Sequence, residues 1–308
     1  MLDTKIFQQY NSLEFIVTQL VEGFMTGLHK SPFHGFSVEF AEHRLYNDGE
    51  STRHIDWKLY ARTDKLFVKT FEEETNLRAY ILLDNSSSMH YPIISSPTVY
   101  NPDKITFSIY AAGCISYMLQ MQRDAVGLSV FSDNLDLFTP VRSSYVHLKY
   151  LYGEYEKLIS DFTLNDKKKS NVAECIHLIA EKTHKRSLFI LFTDMFDNYS
   201  DLDTVFSALQ HLKYNKNEVI LFHVVDKSTE IDFKLPDRPT KFIDLETKTE
   251  LKINPRLIRD EYYKYQKKRR DEIEERCLQY KIDFVEADIN LGYDQIMLNF
   301  LKKRQRLQ

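Results

Sequence analysis

The 308 residues are 43% hydrophobic and 28% charged with a formal net charge of -4. That composition argues against a disordered or membrane-embedded chain and gives no general electrostatic basis for binding nucleic acid. The length suits one large domain with an extra segment, or two domains, and the three widely spaced cysteines (Cys114, Cys175, Cys277) form neither a zinc ribbon nor a disulfide framework, which points to a reducing, cytoplasmic compartment.

Between Ile6 and Leu28 the apolar residues Leu13, Ile16, Val17, Leu20, Val21, Phe24 and Leu28 recur at three- and four-residue steps. This spacing predicts a helix with one buried face that docks on the main domain. Glu14, Gln19 and Glu22 interrupt its most apolar part, so neither a signal peptide nor a transmembrane helix is expected. From Lys30 to Asn76 strand-like pieces at Phe36 to Phe40 and Leu66 to Phe71 alternate with polar loops rich in His, Arg, Asp and Trp. We expect residues 1–76 to hold the helix and this segment, and residues 77–308 to form the main domain.

After Leu77 strand and helix patterns alternate, the mark of an α/β fold with a doubly wound, mostly parallel sheet. Strands are expected at Ala79 to Leu83, Ala125 to Phe131, Leu135 to Phe138, Ser187 to Phe192, Glu218 to Val225 and Ile282 to Val285. Helices are expected near Asp103 to Met121, Tyr145 to Ile159, Asn171 to Thr183, Leu202 to Leu212, Pro255 to Gln279 and Tyr293 to Lys303. The tight turn Ser132-Asp133-Asn134 makes the third of these strands an antiparallel edge strand. Lys241 to Ile253 reads as an added hairpin.

The chemistry-bearing stretch is Asp84-Asn85-Ser86-Ser87-Ser88-Met89, which follows the apolar run Ala79-Tyr80-Ile81-Leu82-Leu83. Asp84 is thus a carboxylate at a strand tip, where open parallel sheets gather ligands. Asp84, Ser86 and Ser88 alternate, so three oxygens can face one hard cation such as Mg²⁺, with some waters kept. Asp194 ends a second apolar strand and joins them if the two strands are neighbours. The competing reading is that Asp84 and Ser86 cap the following helix. The third oxygen and the matching Asp194 favour the cation loop.

Other charged stretches read as structural. Arg53, His54, Asp56 and Arg62 suit a salt-bridged clasp, with Trp57 as its anchor. His29, His34 and His43 lack a zinc-ligand frame. Lys267-Lys268-Arg269-Arg270, followed by Asp271-Glu272 and Glu274-Glu275, reads as a solvated helix face, and Lys302-Lys303-Arg304-Gln305-Arg306 as a weak basic patch. The chain has no Walker loop, GxGxxG or GxSxG. A metal-dependent hydrolase using Asp84 for phosphoryl transfer is the alternative function, against which stands Ser86 where an aspartyl phosphatase would carry a second aspartate.

Two stretches carry a family resemblance: Asp84 through Met89, and Tyr46-Asn47-Asp48-Gly49-Glu50 through Arg53-His54-Ile55-Asp56-Trp57, with Ala61-Arg62 and Phe71-Glu72-Glu73-Glu74 downstream. Together they resemble the von Willebrand factor A-like domain-of-unknown-function family associated with MoxR AAA+ ATPases. The resemblance implies a Rossmann-type, von Willebrand factor A-like fold and an adhesion-type Mg²⁺ or Mn²⁺ site completed by Ser170 and Asp194. Ser170 stands where the family has threonine, and Glu50 where it has aspartate. The implied function is a metal-dependent protein-protein interaction module, not an enzyme. Its implied partner is a MoxR-type ATPase or a client protein; neither nucleic acid nor an integral membrane segment is expected.

Overall fold

The computed structural model describes residues 12–30, 43–45, 60, 62, 66–69, 77–160, 171–195, 202–245 and 249–307. These fall into two compact units, one running through Val21 and resuming at Leu77, the other from Glu22 to Asn76. The smaller unit contains the second half of helix α1 (Leu13–Lys30) and a short antiparallel pair, β1 (His43–Leu45) and β2 (Phe67–Lys69). The second of these strands falls within an expected strand. The expected strand at 36–40, the histidine at 34 and the signature residues 46–57 lie outside the described residues.

In the larger unit the elements follow as β3 (Arg78–Asp84), α2 (Lys104–Met121), β4 (Ala125–Phe131), β5 (Leu135–Phe138), α3 (Tyr145–Ser160), α4 (Val172–Lys182), β6 (Leu188–Thr193), α5 (Leu202–Tyr214) and β7 (Glu218–Val225). The hairpin β8 (Thr240–Ile243) and β9 (Glu250–Ile253) precedes α6 (Pro255–Gln279), β10 (Asp283–Asp288) and α7 (Asp294–Leu307). The sheet order is β10-β7-β6-β3-β4-β5, parallel throughout except for the β4–β5 pair. This is the doubly wound sheet with one antiparallel edge strand that the residue pattern predicts.

The continuous apolar runs follow from the layering. Residues 79–84 of β3 and all of β6 are buried, because helices cover both faces of a parallel sheet. Tyr80 and Leu82 join α4, α5 and the second half of α6 in one cluster that also takes Phe189, Leu191 and Leu221. By the two-residue period of a strand, Ile81 and Leu83 face the opposite layer. That layer contains α2, which is buried almost all round, so its sequence is apolar without one preferred face.

The first half of α1 docks on this layer as expected. Leu13 N donates to Glu156 Oε1 at 3.0 Å, and Val17 is fully buried. A Cβ on Gly113 of α2 would lie 2.8 Å from Val17 Cγ2 and 3.4 Å from Leu13 Cδ2, so glycine lets the two helices approach.

Two readings of charged runs are corrected. Arg269 is buried, not solvated, and donates to the backbone oxygen of Met195, while Arg270 pairs with Glu286 and Glu274. Arg304 is buried against Asp124, whose Oδ1 accepts from Leu77 N at 3.1 Å, and Lys303 pairs with Glu218 and Asp283 at 2.8 and 2.6 Å. Arg269 is thus held by a distant carbonyl, and Arg304 and Lys303 by distant carboxylates, that a local charge pattern does not reveal. Arg276 pairs with Glu272 at 2.9 Å at the four-residue spacing predicted, and also with Asp203 of α5.

If the α1–α2 approach is as close as described, Gly113→Leu overpacks it and lowers stability by ~1–3 kcal/mol. Urea unfolding reads this, and adding Val17→Ala is expected to restore part of the loss. An unchanged midpoint in Gly113→Leu would mean that α1 does not pack there.

Candidate functional site

Chain order reverses between β3 and β6: β4 and β5 extend the sheet to one side of β3, and β6, β7 and β10 to the other. A crevice at such a switch point, beyond the carboxyl ends of the strands, is where doubly wound sheets bind ligands. In register, Leu83 pairs with Phe192, so Asp84 and Thr193 are the next residues at adjacent tips. The condition set by the sequence for Asp84 and Asp194 to share a crevice is therefore met.

Asp84 is fully buried. Its Oδ1 accepts from Ser86 N at 3.0 Å, and its Oδ2 accepts from Thr193 Oγ1 at 2.7 Å. The loop is further tied down by Asn85 N, which donates to Phe131 O at 2.7 Å, and by a 3.1 Å bond between His90 Nε2 and Asn85 Oδ1. Ser86 precedes a single helical turn, Ser87–His90, but its side chain makes no capping bond. Its hydroxyl instead meets that of Ser88 at 3.1 Å. Adjacent corners of an octahedron with ligand distances of about 2.1 Å are about 3 Å apart, so this spacing suits two cis ligands of a Mg²⁺-sized ion.

Asp194 is also buried, but it is not left to a cation from solvent. Lys104 Nζ donates to Asp194 Oδ2 at 2.7 Å and to Glu230 Oε1 at 2.7 Å, and the lysine side chain is 1% exposed. Glu230 lies on the turn Lys227–Ile231 after β7, where its Oε2 accepts from Asp226 N at 2.7 Å. His223 of β7 forms a 3.1 Å bond with Asp194 O. Met195 adopts φ 52°, a left-handed conformation costly for a residue with a Cβ, and its carbonyl is held by Arg269. A cavity of about 20 Å³ beside these groups is lined by Asp194, His223, Glu230, Gln266 and Arg269, among others.

The electrostatics follow from burial. Desolvation, then the negative charge of Asp194, pushes the Asp84 carboxyl up to about 7, against the lowering effect of its bonds from Thr193 and Ser86. Burial lowers His223 to about 4, aided by the Arg269 charge, so its imidazole is neutral at neutral pH. Burial also raises Glu230 despite its lysine partner. For Lys104, burial acts downward, but the charges of Asp194 and Glu230 win and hold the ammonium protonated.

Thus Asp84, Ser86, Ser88 and Asp194 occupy one strand-tip site, while Ser170 lies outside the described residues. Lys104, Glu230, Thr193 and His223 escaped the sequence reading. The legible signal was Lys104 itself, a lone cation opening an otherwise apolar helix. Among the described residues, no three or more His, Cys, Asp or Glu form a metal-holding group. A cation here would depend on hydroxyl oxygens, and the all-oxygen set suits a hard ion rather than zinc.

The mostly parallel α/β sheet with its antiparallel edge thus carries an Asp-x-Ser-x-Ser loop at a strand tip. The chain belongs to the family described as "Protein of unknown function DUF58", whose profile matches residues 42–272. It is 24% identical over 145 residues to an uncharacterized protein of Mycobacterium bovis, a match spanning 47% of this chain and 44% of the relative. The match therefore covers less than half the length of that relative. Similar solved structures include the conserved hypothetical protein BatB from Bacteroides thetaiotaomicron, at TM-score 0.41 and 14% identity, covering 73% of this chain and 99% of that one. The SpRpn10 VWA domain is similar at TM-score 0.30 and 14% identity, covering 48% of this chain and 75% of that one. Among the described residues no helix is long and apolar enough to cross a membrane.

A raised carboxyl costs stability when it ionises. In the folded protein Asp84 holds its proton to about 7 instead of 3.8, so the contribution of this group to native stability is fully present below about pH 4 and is lost as pH rises through about 7. With chelator present, Asp84→Asn is expected to remove this fall and to gain up to ~4 kcal/mol over wild type above neutrality, with no gain in acid. Urea unfolding across this range measures it. Parallel pH profiles for the two proteins would contradict the buried carboxyl described here.

Proposed function

We propose that the chain is a protein-interaction module that takes Mg²⁺ or Mn²⁺ on the Asp84-Ser86-Ser88 loop, with Asp194 and Ser170 completing the set. When bound, the ion would supply an open coordination position for a partner's carboxylate. The observation that carries this reading is the meeting of the Ser86 and Ser88 hydroxyls at 3.1 Å beside a buried Asp84, at the switch point of the sheet.

Three features support it. The donors are oxygens only. Asp84 is held in a fixed rotamer by Ser86 N and Thr193 Oγ1, which preorganises the loop. Its raised pKa, caused first by burial and then by the negative charge of Asp194, marks a place that added positive charge would relieve. Both Asp84 oxygens already accept hydrogen bonds, which suits ligand or positioning duty better than nucleophilic attack. The partner we propose, from the family resemblance, is a MoxR-type AAA+ ATPase or a client it remodels.

Calorimetric titration with Mn²⁺ is expected to give one site per chain, weakened at least about tenfold by Asp84→Ala, the equivalent of ~1.4 kcal/mol. Retention of a purified MoxR-type ATPase on the immobilised chain is expected to fall on adding chelator. Equal Mn²⁺ binding by wild type and Asp84→Ala would remove the loop from the site, and chelator-insensitive retention would remove the metal from the interaction.

A further inference from the structure

Lys104 is an unusual occupant of its position. It is the first residue of α2, directly after the N-cap Asp103, where the aligned peptide dipoles disfavour a positive charge. It is also almost wholly buried, and a buried ammonium needs carboxylates close by. Asp194 and Glu230 supply them, each at 2.7 Å, from opposite sides in the chain: one at the tip of β6, the other on the turn after β7. Asp194 follows Thr193, whose hydroxyl holds Asp84, so the ammonium sits on the same side-chain network as the loop.

We infer that Lys104 is a tethered cation that competes with a divalent ion for Asp194, and that Glu230 is the second seat that retains the ammonium when Asp194 is engaged by that ion. This rests on the cation-site reading above and names what sets the affinity of that site. Two charges of the same sign cannot both draw fully on one carboxylate, so each weakens the other's hold. The second carboxylate decides how easily the lysine yields. Glu230 is already in contact with it, so the ammonium can keep one partner without entering solvent. The turn that carries Glu230 is fixed in turn by the bond from Asp226 N to Glu230 Oε2, so strengthening of the Lys104–Glu230 contact is felt at residues 226–231.

The two ends of this arrangement predict opposite effects. Lys104→Met removes the competitor and is expected to tighten Mn²⁺ binding by roughly tenfold or more, as loss of a competing charge worth one decade implies. Glu230→Gln removes the second seat, leaves the ammonium to Asp194 alone, and is expected to weaken Mn²⁺ binding by a similar factor of roughly ten. Calorimetry on the full chain reads both, with circular dichroism melts as the check that each variant folds. Adding Asp84→Ala to Lys104→Met is expected to abolish the gain.

Mn²⁺ binding by Lys104→Met that equals or falls below wild type, in a folded protein, overturns the inference. So does unchanged or tighter binding by Glu230→Gln, which decides the matter if Lys104→Met fails to fold. A gain that survives Asp84→Ala places the ion elsewhere and also overturns it. If wild type binds no Mn²⁺ and Lys104→Met does, the inference stands and the metal-dependent reading of the natural chain falls. If neither protein binds, both fall, and if wild type binds but neither Lys104→Met nor Glu230→Gln changes the affinity, only the inference falls.

Discussion

Two carboxylates are buried at adjacent strand tips, and most of the local structure can be understood as compensation for them. Parallel pairing of β3 with β6 puts Asp84 and Asp194 close enough for the charge of Asp194 to add to burial in raising the Asp84 pKa. Removing a carboxylate from water costs several kcal/mol unless hydrogen bonds or charges replace its hydration. Asp84 receives hydrogen bonds, from Thr193 and Ser86; Asp194 receives a charge, from Lys104. Asp84, the carboxylate given only neutral donors, keeps a pKa raised to about 7.

The compensation extends into the fold. Lys104 reaches Asp194 only because Asp103 starts α2 at that point, accepting from Thr106 N at 2.8 Å and fixing the first turn. The cation then sits against the dipole of its own helix, an arrangement the two carboxylates must outweigh. Behind Asp194, Met195 turns the chain through a left-handed residue, and Arg269 from the middle of α6 binds its carbonyl. The long charged helix is thereby tied to the strand tip. Its surface carries ordinary four-residue ion pairs, yet one arginine of the same basic run points inward.

Which of these features could be read in advance depends on the range over which they act. Apolar runs show β3, β6 and β7, because strands buried on both faces need no alternation. The Ser132-Asp133-Asn134 turn shows the antiparallel edge strand. The carboxylates at the strand tips are visible for the same reason: a polar residue ending an apolar run has only one place to be. Charge partners are another matter. Lys104 pairs across 90 and 126 residues, Arg269 reaches back 74, and Arg304 reaches 180. Local pattern treats Arg269 and Arg304 as members of exposed basic runs, since Lys267, Lys268, Lys302 and Arg306 in those runs are exposed. Burial of an individual arginine is decided by a carboxylate or carbonyl brought alongside by the sheet. Thr193 illustrates the intermediate case: its place before Asp194 is plain, but its role as donor to Asp84 requires the register of β3 and β6.

The internal ammonium also changes what an Asp-x-Ser-x-Ser loop means in this fold. A strand-tip site that relied on a divalent ion alone would carry two buried carboxylates and no fixed positive charge, so its folded state would depend on metal supply. Here Asp194 is neutralised within the chain, which lets the domain fold around its acidic crevice under either condition. On the proposed function, metal would act on an assembled site, and its net effect would be the difference between two arrangements of charge, not the whole of either. Lys104 bridges Asp194 after β6 and Glu230 on the turn after β7, so that difference would be expressed in the partition of one ammonium between them. The turn that carries Glu230 is held by the bond from Asp226 N to Glu230 Oε2, so on the proposed function occupancy at the loop would be linked to the electrostatics of residues 226–231.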